Sequence, residues 1–215
     1  MLNCIFDMDG TLINSEAIWR QTVQEVTGAL YGCHVRDEWI QSYTGCTTLT
    51  VCKRIAQQFA HEPISAVGLS EQITILMQER SPKAALMPSA KALLEYIDRN
   101  GGRLAIASSS SLSVIDRVIA AHDLPISIRA SSYEASRSKP HPHVFELAAQ
   151  RLGVMPHECI AWEDSLNGAI SAYSSGAQVI VVPETMQHAE QKFSFASEIH
   201  ASLAQSLDWL KQRHH

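Results

Sequence analysis

The stretch Asn3-Cys4-Ile5-Phe6-Asp7-Met8-Asp9-Gly10-Thr11-Leu12 decides how the rest of the chain is read. A short apolar run stops at two aspartates separated by one residue, then meets a glycine and a threonine. Side chains on a strand alternate with a period of two, so Asp7 and Asp9 are expected to project to the same side as the strand ends. Carboxylates that close repel each other unless a cation lies between them or one is protonated. Gly10 permits a sharp turn or a close approach to a ligand. The pattern points to a metal-assisted site at the carboxyl end of a strand.

Working outward, further short apolar runs recur at Arg103 to Ala107, Ile126 to Ala130, Cys159 to Trp162 and Gln178 to Val182, with the first strand spanning Leu2 to Phe6. Helical patterns separate them. Ser89 to Asn100 places Ala90, Leu93, Leu94 and Ile97 on one face, and Gly101-Gly102 ends it. Leu112 to His122, Pro142 to Leu152 and Ser165 to Gly176 read the same way. Strands alternating with helices predict an α/β fold: a doubly wound, parallel-sheet, Rossmann-like core. One interval departs from the rhythm. Between Glu16 and Arg80 no strand pattern stands out. Ser15 is expected to cap a first helix, with more over Asp37 to Tyr43, Thr48 to Phe59 and Ser70 to Glu79. This is either a long helical crossover or an inserted all-helical cap over the mouth of the sheet. The cap is the preferred reading, with residues 15–80 as the cap and residues 1–14 and 81–215 as the core.

The 215 residues suffice for one such core with a small appended unit. Hydrophobic residues make up 46% and charged residues 18%, a globular balance. A formal net charge of -5 argues against a nucleic-acid or anionic-membrane partner. No apolar run reaches the length of a membrane span. No secretory signal is evident, and the five cysteines are scattered without a Cys-x-x-Cys pair, so a reducing, cytoplasmic location is expected. A monomer is expected, and His214-His215 are given no role.

Each later strand also runs into polar residues. Ala105-Ile106-Ala107 leads into Ser108-Ser109-Ser110-Ser111 ahead of a helix, where hydroxyls and free N–H groups together favour an anion. Ser138-Lys139-Pro140-His141-Pro142 sets a lysine in a proline-fixed loop. Trp162-Glu163-Asp164-Ser165 closes a strand with two acids. Taken singly these are a cap, a solvated charge and a helix start. In a parallel sheet, however, all the strand ends face one way. Asp7, Asp9, Ser108, Lys139, Glu163 and Asp164 then converge on one mouth. Several carboxylates beside an anionic ligand repel it by roughly 4 kcal/mol for each pair about 4 Å apart at an effective dielectric near 20. One lysine does not offset that, whereas a divalent cation does, and oxygen ligands suit Mg²⁺.

With these residues in place, the sequence resembles the haloacid dehalogenase superfamily. Asp7-Met8-Asp9-Gly10-Thr11 matches its first motif, Ser108 its second, Lys139 its third and Glu163-Asp164 its fourth. Ser15-Glu16-Ala17-Ile18-Trp19 and the two later segments resemble the sugar-phosphate phosphatases of the 2-deoxyglucose-6-phosphate phosphatase type. The resemblance implies a Mg²⁺-dependent phosphatase acting on a small phosphate ester of a sugar or sugar alcohol. By the same implication, Asp7 is the nucleophile that becomes an aspartyl phosphate, and Asp9 is the general acid and base. Asp7, the Asp9 carbonyl, Asp164 and Glu163 would attend the metal, while Ser108, Ser109, Lys139 and Thr11 would attend the phosphate or substrate. Glu16, Trp19 and Arg20 are candidate contacts from the cap. A β-phosphoglucomutase-like phosphomutase is the rival reading. Thr11, Trp19 and the absence of an arginine around Tyr43 to Thr48 lean against it. A non-catalytic phospholigand binder is the second rival. His141, His143, Cys46 and Cys52 are not assigned to a metal or to nucleophilic chemistry.

Overall fold

The structure is a computed structural model that describes residues 2–213; His214 and His215 lie outside the described residues. After β1 (Asn3–Phe6) come four helices, α1 (Glu16–Tyr31), α2 (Asp37–Gln41), α3 (Thr48–Gln58) and α4 (Ala66–Arg80). The alternation follows: α5 (Ala90–Arg99), β2 (Arg103–Ser108), α6 (Leu112–His122), β3 (Ile128–Ser131) and α7 (His143–Leu152). The chain ends with β4 (Cys159–Glu163), α8 (Leu166–Ser175), β5 (Gln178–Val181), α9 (Ala189–Lys192), β6 (Glu198–Ile199) and α10 (Leu203–Arg213).

The strands form one sheet in the order β3-β2-β1-β4-β5-β6, and every pairing is parallel. This is the doubly wound order, in which the chain reverses its direction of travel between β1 and β4. The connections leaving those two strands part from each other and open a crevice at their carboxyl ends. Phe6 lies opposite Ile106 on one side and Trp162 on the other. The register therefore sets Asp7 level with Glu163 at the rim.

Alternation along the strands separates two cores. Cys4, Phe6, Ile106, Trp162 and Ile180 face one apolar cluster; Ile5, Ala105, Ala107, Ala161 and Val179 face the other. Phe6 and Trp162 stack with ring centroids 4.6 Å apart. The first cluster continues into the helical cap through Val51, Cys52, Ile55, Leu69 and Ile73. Small alanines in the second cluster let α7 and α8 lie close to the sheet.

Several expectations need correction. Ser15 makes no capping hydrogen bond to α1; its hydroxyl turns back to Asp9 instead. The helix expected from Ser70 begins at Ala66, because the Ser65 side chain accepts from the Gly68 N–H and caps it there. Ile126 is buried but precedes β3. β6 and α9 are too short to carry a period and were not expected.

Candidate active site

Four loops at the carboxyl ends of β1, β2, β3 and β4 build the site. The centre is Lys139, whose side chain is wholly buried. Its Nζ donates to Asp7 Oδ1 and to Glu163 Oε1, each at 2.6 Å. The Phe145 ring lies 5.0 Å beneath the ammonium. Burial alone would lower the Lys139 pKa, but the charges of Asp7 and Glu163 outweigh it and hold the ammonium above its usual range.

Glu163 is saturated. Its Oε2 accepts from the Asp164 N–H, the Ser165 N–H and the Ser165 hydroxyl, each at 3.0 Å. Ser165, not Asp164, caps α8, its hydroxyl accepting from the Gly168 N–H at 3.0 Å. A Cβ at position 168 would overlap the Glu163 carboxylate, so the first turn of α8 passes directly over that acid only with glycine. Gly168→Ala is accordingly expected to lower Tm by roughly 2 to 12 °C through overpacking. A thermal melt matching the wild type would contradict this.

Asp164 is held differently. One oxygen accepts from the Thr11 hydroxyl at 3.1 Å. Gly10, at φ +89°, gives the backbone room at this spot, where a Cβ would strike the Asp164 carboxylate. Thr11 is buried, and its hydroxyl donates to Asp164, so in this structure it touches the acid cluster.

Asp9 is not simply the next residue along a strand. β1 ends at Phe6, and the chain turns so that the N–H groups of Leu12 and Ile13 donate to the Met8 carbonyl. Asp9 thereby leaves the Lys139 pocket and accepts from Ser15 at 2.5 Å, Ser110 at 2.8 Å and Ser108 at 3.4 Å. Asp7 and Asp9 nevertheless line the same cavity. Ser108 also accepts from the Ser110 N–H at 3.0 Å, and Ser109 donates to the Gly45 carbonyl of the cap at 2.6 Å. A second tie between core and cap runs from Asn167 to the Thr44 carbonyl at 2.9 Å. The cap thus rests on both sides of the crevice.

Asp7, Glu163 and Asp164 each present an oxygen within 4.8 Å of the others. Three carboxylates against one ammonium leave an excess of two negative charges. Burial, tempered by Lys139 and reinforced by Glu163 and Asp9, pushes the Asp7 carboxyl up to about 8. Burial and the charges of Glu163 and Asp7 raise Asp164 likewise. A hard divalent cation relieves this strain, and the donor set is all oxygen. Asp7 and Asp164 fit such an ion, since hydrogen bonds engage one oxygen of each. Glu163 is already committed to Lys139 and the turn into α8.

From the cap, Glu16 and Trp19 line the Asp7–Asp9 cavity, and the Trp19 indole N–H donates to Thr48 Oγ1 at 3.1 Å. Arg20 borders a neighbouring cavity and donates to Asp37 at 3.1 Å. The Asp7–Asp9 cavity offers about 50 Å³ to water centres, enough for a few waters. His143 Nδ1 accepts from the Ser136 N–H at 2.9 Å, and neither His141 nor His143 joins the carboxylates. Ser15, Ser110, Asn167 and Gly168 were not singled out as site residues. Ser110 lies in the serine run after β2, whereas Ser15 reads as a helix cap at the head of the Ser15–Trp19 segment.

The sequence model of the haloacid dehalogenase-like hydrolases matches residues 4–182. The chain belongs to this family. Hexitol phosphatase B of Escherichia coli (strain K12) is 29% identical over 214 residues, covering 95% of this chain and 94% of that protein. Protein CbbY of Rhodobacter capsulatus is 31% identical over 196 residues, covering 83% and 84%. The crystal structure of CbbY from Rhodobacter sphaeroides in complex with phosphate superposes with a TM-score of 0.79 at 29% identity, covering 95% of this chain and 96% of that one. The carboxylate cluster of Asp7, Glu163 and Asp164 and the haloacid dehalogenase-like fold support phosphatase activity. Within the family, the matches do not single out the 2-deoxyglucose-6-phosphate phosphatases.

Proposed function

We propose that this protein is a Mg²⁺-dependent phosphatase that hydrolyses monophosphates of sugars or sugar alcohols through an aspartyl phosphate on Asp7. The observation that carries this reading is Lys139, fixed at 2.6 Å from both Asp7 and Glu163 beside the open carboxylate of Asp164. Phosphoryl transfer depends on positioning and charge neutralisation, and this arrangement offers both.

Asp7, Asp164 and the Asp9 backbone carbonyl would hold the cation, which supplies positive charge against the transferred phosphoryl group. The free oxygen of Asp7 attacks phosphorus, and the P–O bond to the alcohol breaks. Asp9 gives its proton to the leaving alkoxide, then takes one from the water that cleaves the acyl phosphate. Ser15, Ser108 and Ser110 keep the Asp9 carboxyl turned into the cavity. Lys139, Ser108 and the Ser109 N–H receive the phosphoryl oxygens. Glu163 aligns the Lys139 ammonium. Thr11 aligns Asp164.

Asp9→Ala is expected to lower kcat by roughly 10²- to 10⁴-fold in a continuous phosphate-release assay. Wild-type turnover would contradict the acid assignment. Chelation with EDTA is expected to abolish turnover. Saturating Mg²⁺, at about 100 times its Kd, is expected to raise Tm by roughly 5 to 11 °C. A melt indifferent to Mg²⁺ would contradict a cation at the acid cluster.

What favours hydrolysis over a phosphomutase is the cavity wall. Its described residues include no lysine, arginine or histidine that could grip a second phosphate on a bound sugar. The substrate class draws support from hexitol phosphatase B, whose named substrates are sugar-alcohol phosphates. A phosphate-release screen over sugar phosphates, sugar-alcohol phosphates and nucleotides tests the reading. An isomerised sugar phosphate formed only with a bisphosphate activator would favour the mutase. Tight binding without release from any ester would favour a binder.

A further inference from the structure

Glu16 opens α1 and presents its carboxylate to the cavity that Asp7 and Asp9 line from below. Its Oε2 is buried and has no hydrogen-bond partner among the described residues. Arg20 Nη1 stands 3.9 Å away, beyond hydrogen-bond reach, and Arg20 Nε is turned to Asp37. Native folds leave few buried acceptors unpaired, because such an atom loses its water without compensation. Glu16 lines this cavity and the adjoining one that Arg20 borders, and an unpaired oxygen at such a wall is matched to a donor on the molecule that enters.

The rest of the wall decides what bears that donor. Beside Glu16 stand the Trp19 ring, Met77 and Val114, with the hydroxyls of Thr48 and Thr74. Asp7 and Asp9 lie at the floor, where the phosphoryl group belongs. Burial first, then the charges of Asp9 and Asp7, push the Glu16 carboxyl up to about 8 against the lowering pull of Arg20. A cation at the aspartates offsets their share of that rise, which favours the carboxylate form of Glu16 beside Arg20. The group that meets it is the alcohol portion of the ester.

We propose that Glu16 is a specificity-determining residue, accepting a hydrogen bond from a hydroxyl of the leaving alcohol. This inference rests on the phosphatase reading and narrows its substrate class. A polyol offers O–H donors, which Glu16 accepts. A leaving group that carries a carboxylate or a second phosphate offers acceptors and negative charge. It would face the Glu16 charge, whose cationic neighbour Arg20 stands 3.9 Å from Oε2 and is itself engaged by Asp37. The site therefore selects polyol monophosphates and disfavours esters of acidic alcohols. A polar group left without its partner is what makes such discrimination large.

The test compares kcat/KM for glucitol 6-phosphate and for phosphoglycolate, with Mg²⁺, in the wild type, Glu16→Gln and Glu16→Asp. The wild type is expected to prefer glucitol 6-phosphate. Glu16→Gln, which removes the charge and adds a donor, is expected to shrink that preference by about tenfold or more. Glu16→Asp is expected to keep a preference of the same sign. A ratio unchanged in Glu16→Gln, with both substrates slowed equally, would overturn the proposal. So would a wild type that prefers phosphoglycolate, or loss of the folded state in both variants, which would make the carboxylate structural. A wild-type protein that releases phosphate from neither ester would strike the hydrolase reading itself, and the wild-type arm shows that separately.

Discussion

Replacing Asp7 by asparagine is expected to lower phosphate release from any ester by at least about 10⁴-fold, the scale on which loss of a covalent nucleophile acts. The substitution is nearly isosteric. The amide oxygen can still accept from Lys139, which stands 2.6 Å from the carboxylate. The fold should therefore survive, and circular dichroism with a thermal melt checks that it does. What disappears is the electron pair that attacks phosphorus and one of the charges that attract a cation. Asparagine in place of Asp7 also tests the binder reading, because a protein that only holds a phosphorylated ligand has no turnover to lose. Activity within about tenfold of the wild type would show that Asp7 is not the nucleophile.

Lys139→Met is expected to act on stability and catalysis together. Its side chain is fully buried between two acids, with Glu163 fully buried too. Removing one member of a buried ion pair leaves the others uncompensated, at about 3 to 5 kcal/mol. For a chain of 215 residues that corresponds to a Tm lower by roughly 6 to 20 °C. Methionine keeps most of the volume, so the effect reports charge rather than a cavity. Catalysis suffers because the ammonium no longer meets the phosphoryl oxygens, so KM rises and kcat falls. An unchanged kcat/KM would contradict the placement of Lys139 at the transferred group. An unchanged Tm would contradict the buried pairing.

Much of this site was legible because strand ends carry their own address. Asp7, Ser108 and Glu163 each follow or close an apolar run, and a parallel sheet brings such ends to one rim. Lys139 taken singly reads as a solvated charge; only its place after a strand of a parallel sheet and the match to the family's third motif brought it to the site. What the sequence hides is the direction of side chains once the strand stops. A period of two holds as far as Phe6. Beyond it the Met8 carbonyl collects two N–H groups and the turn sends Asp9 to the serines. Ser15 shows the same limit. A serine before a helix reads as a cap, yet an aspartate six residues upstream competes for its hydroxyl and wins at 2.5 Å. Thr11 sits within the first motif, but the long-range neighbour that claims it, Asp164, is known only from the fold. β6 escaped notice because two residues cannot express a period.

The most direct measurement is a rapid acid quench of the protein during turnover with Mg²⁺ and a hydrolysable phosphate ester, followed by peptide mass spectrometry. A peptide containing Asp7 that is heavier by one phosphoryl group, with the acid-stable, base-labile behaviour of an acyl phosphate, is the predicted result. Steady turnover with no phosphorylated peptide at any quench time, or with the phosphoryl group on a residue other than Asp7, would contradict it.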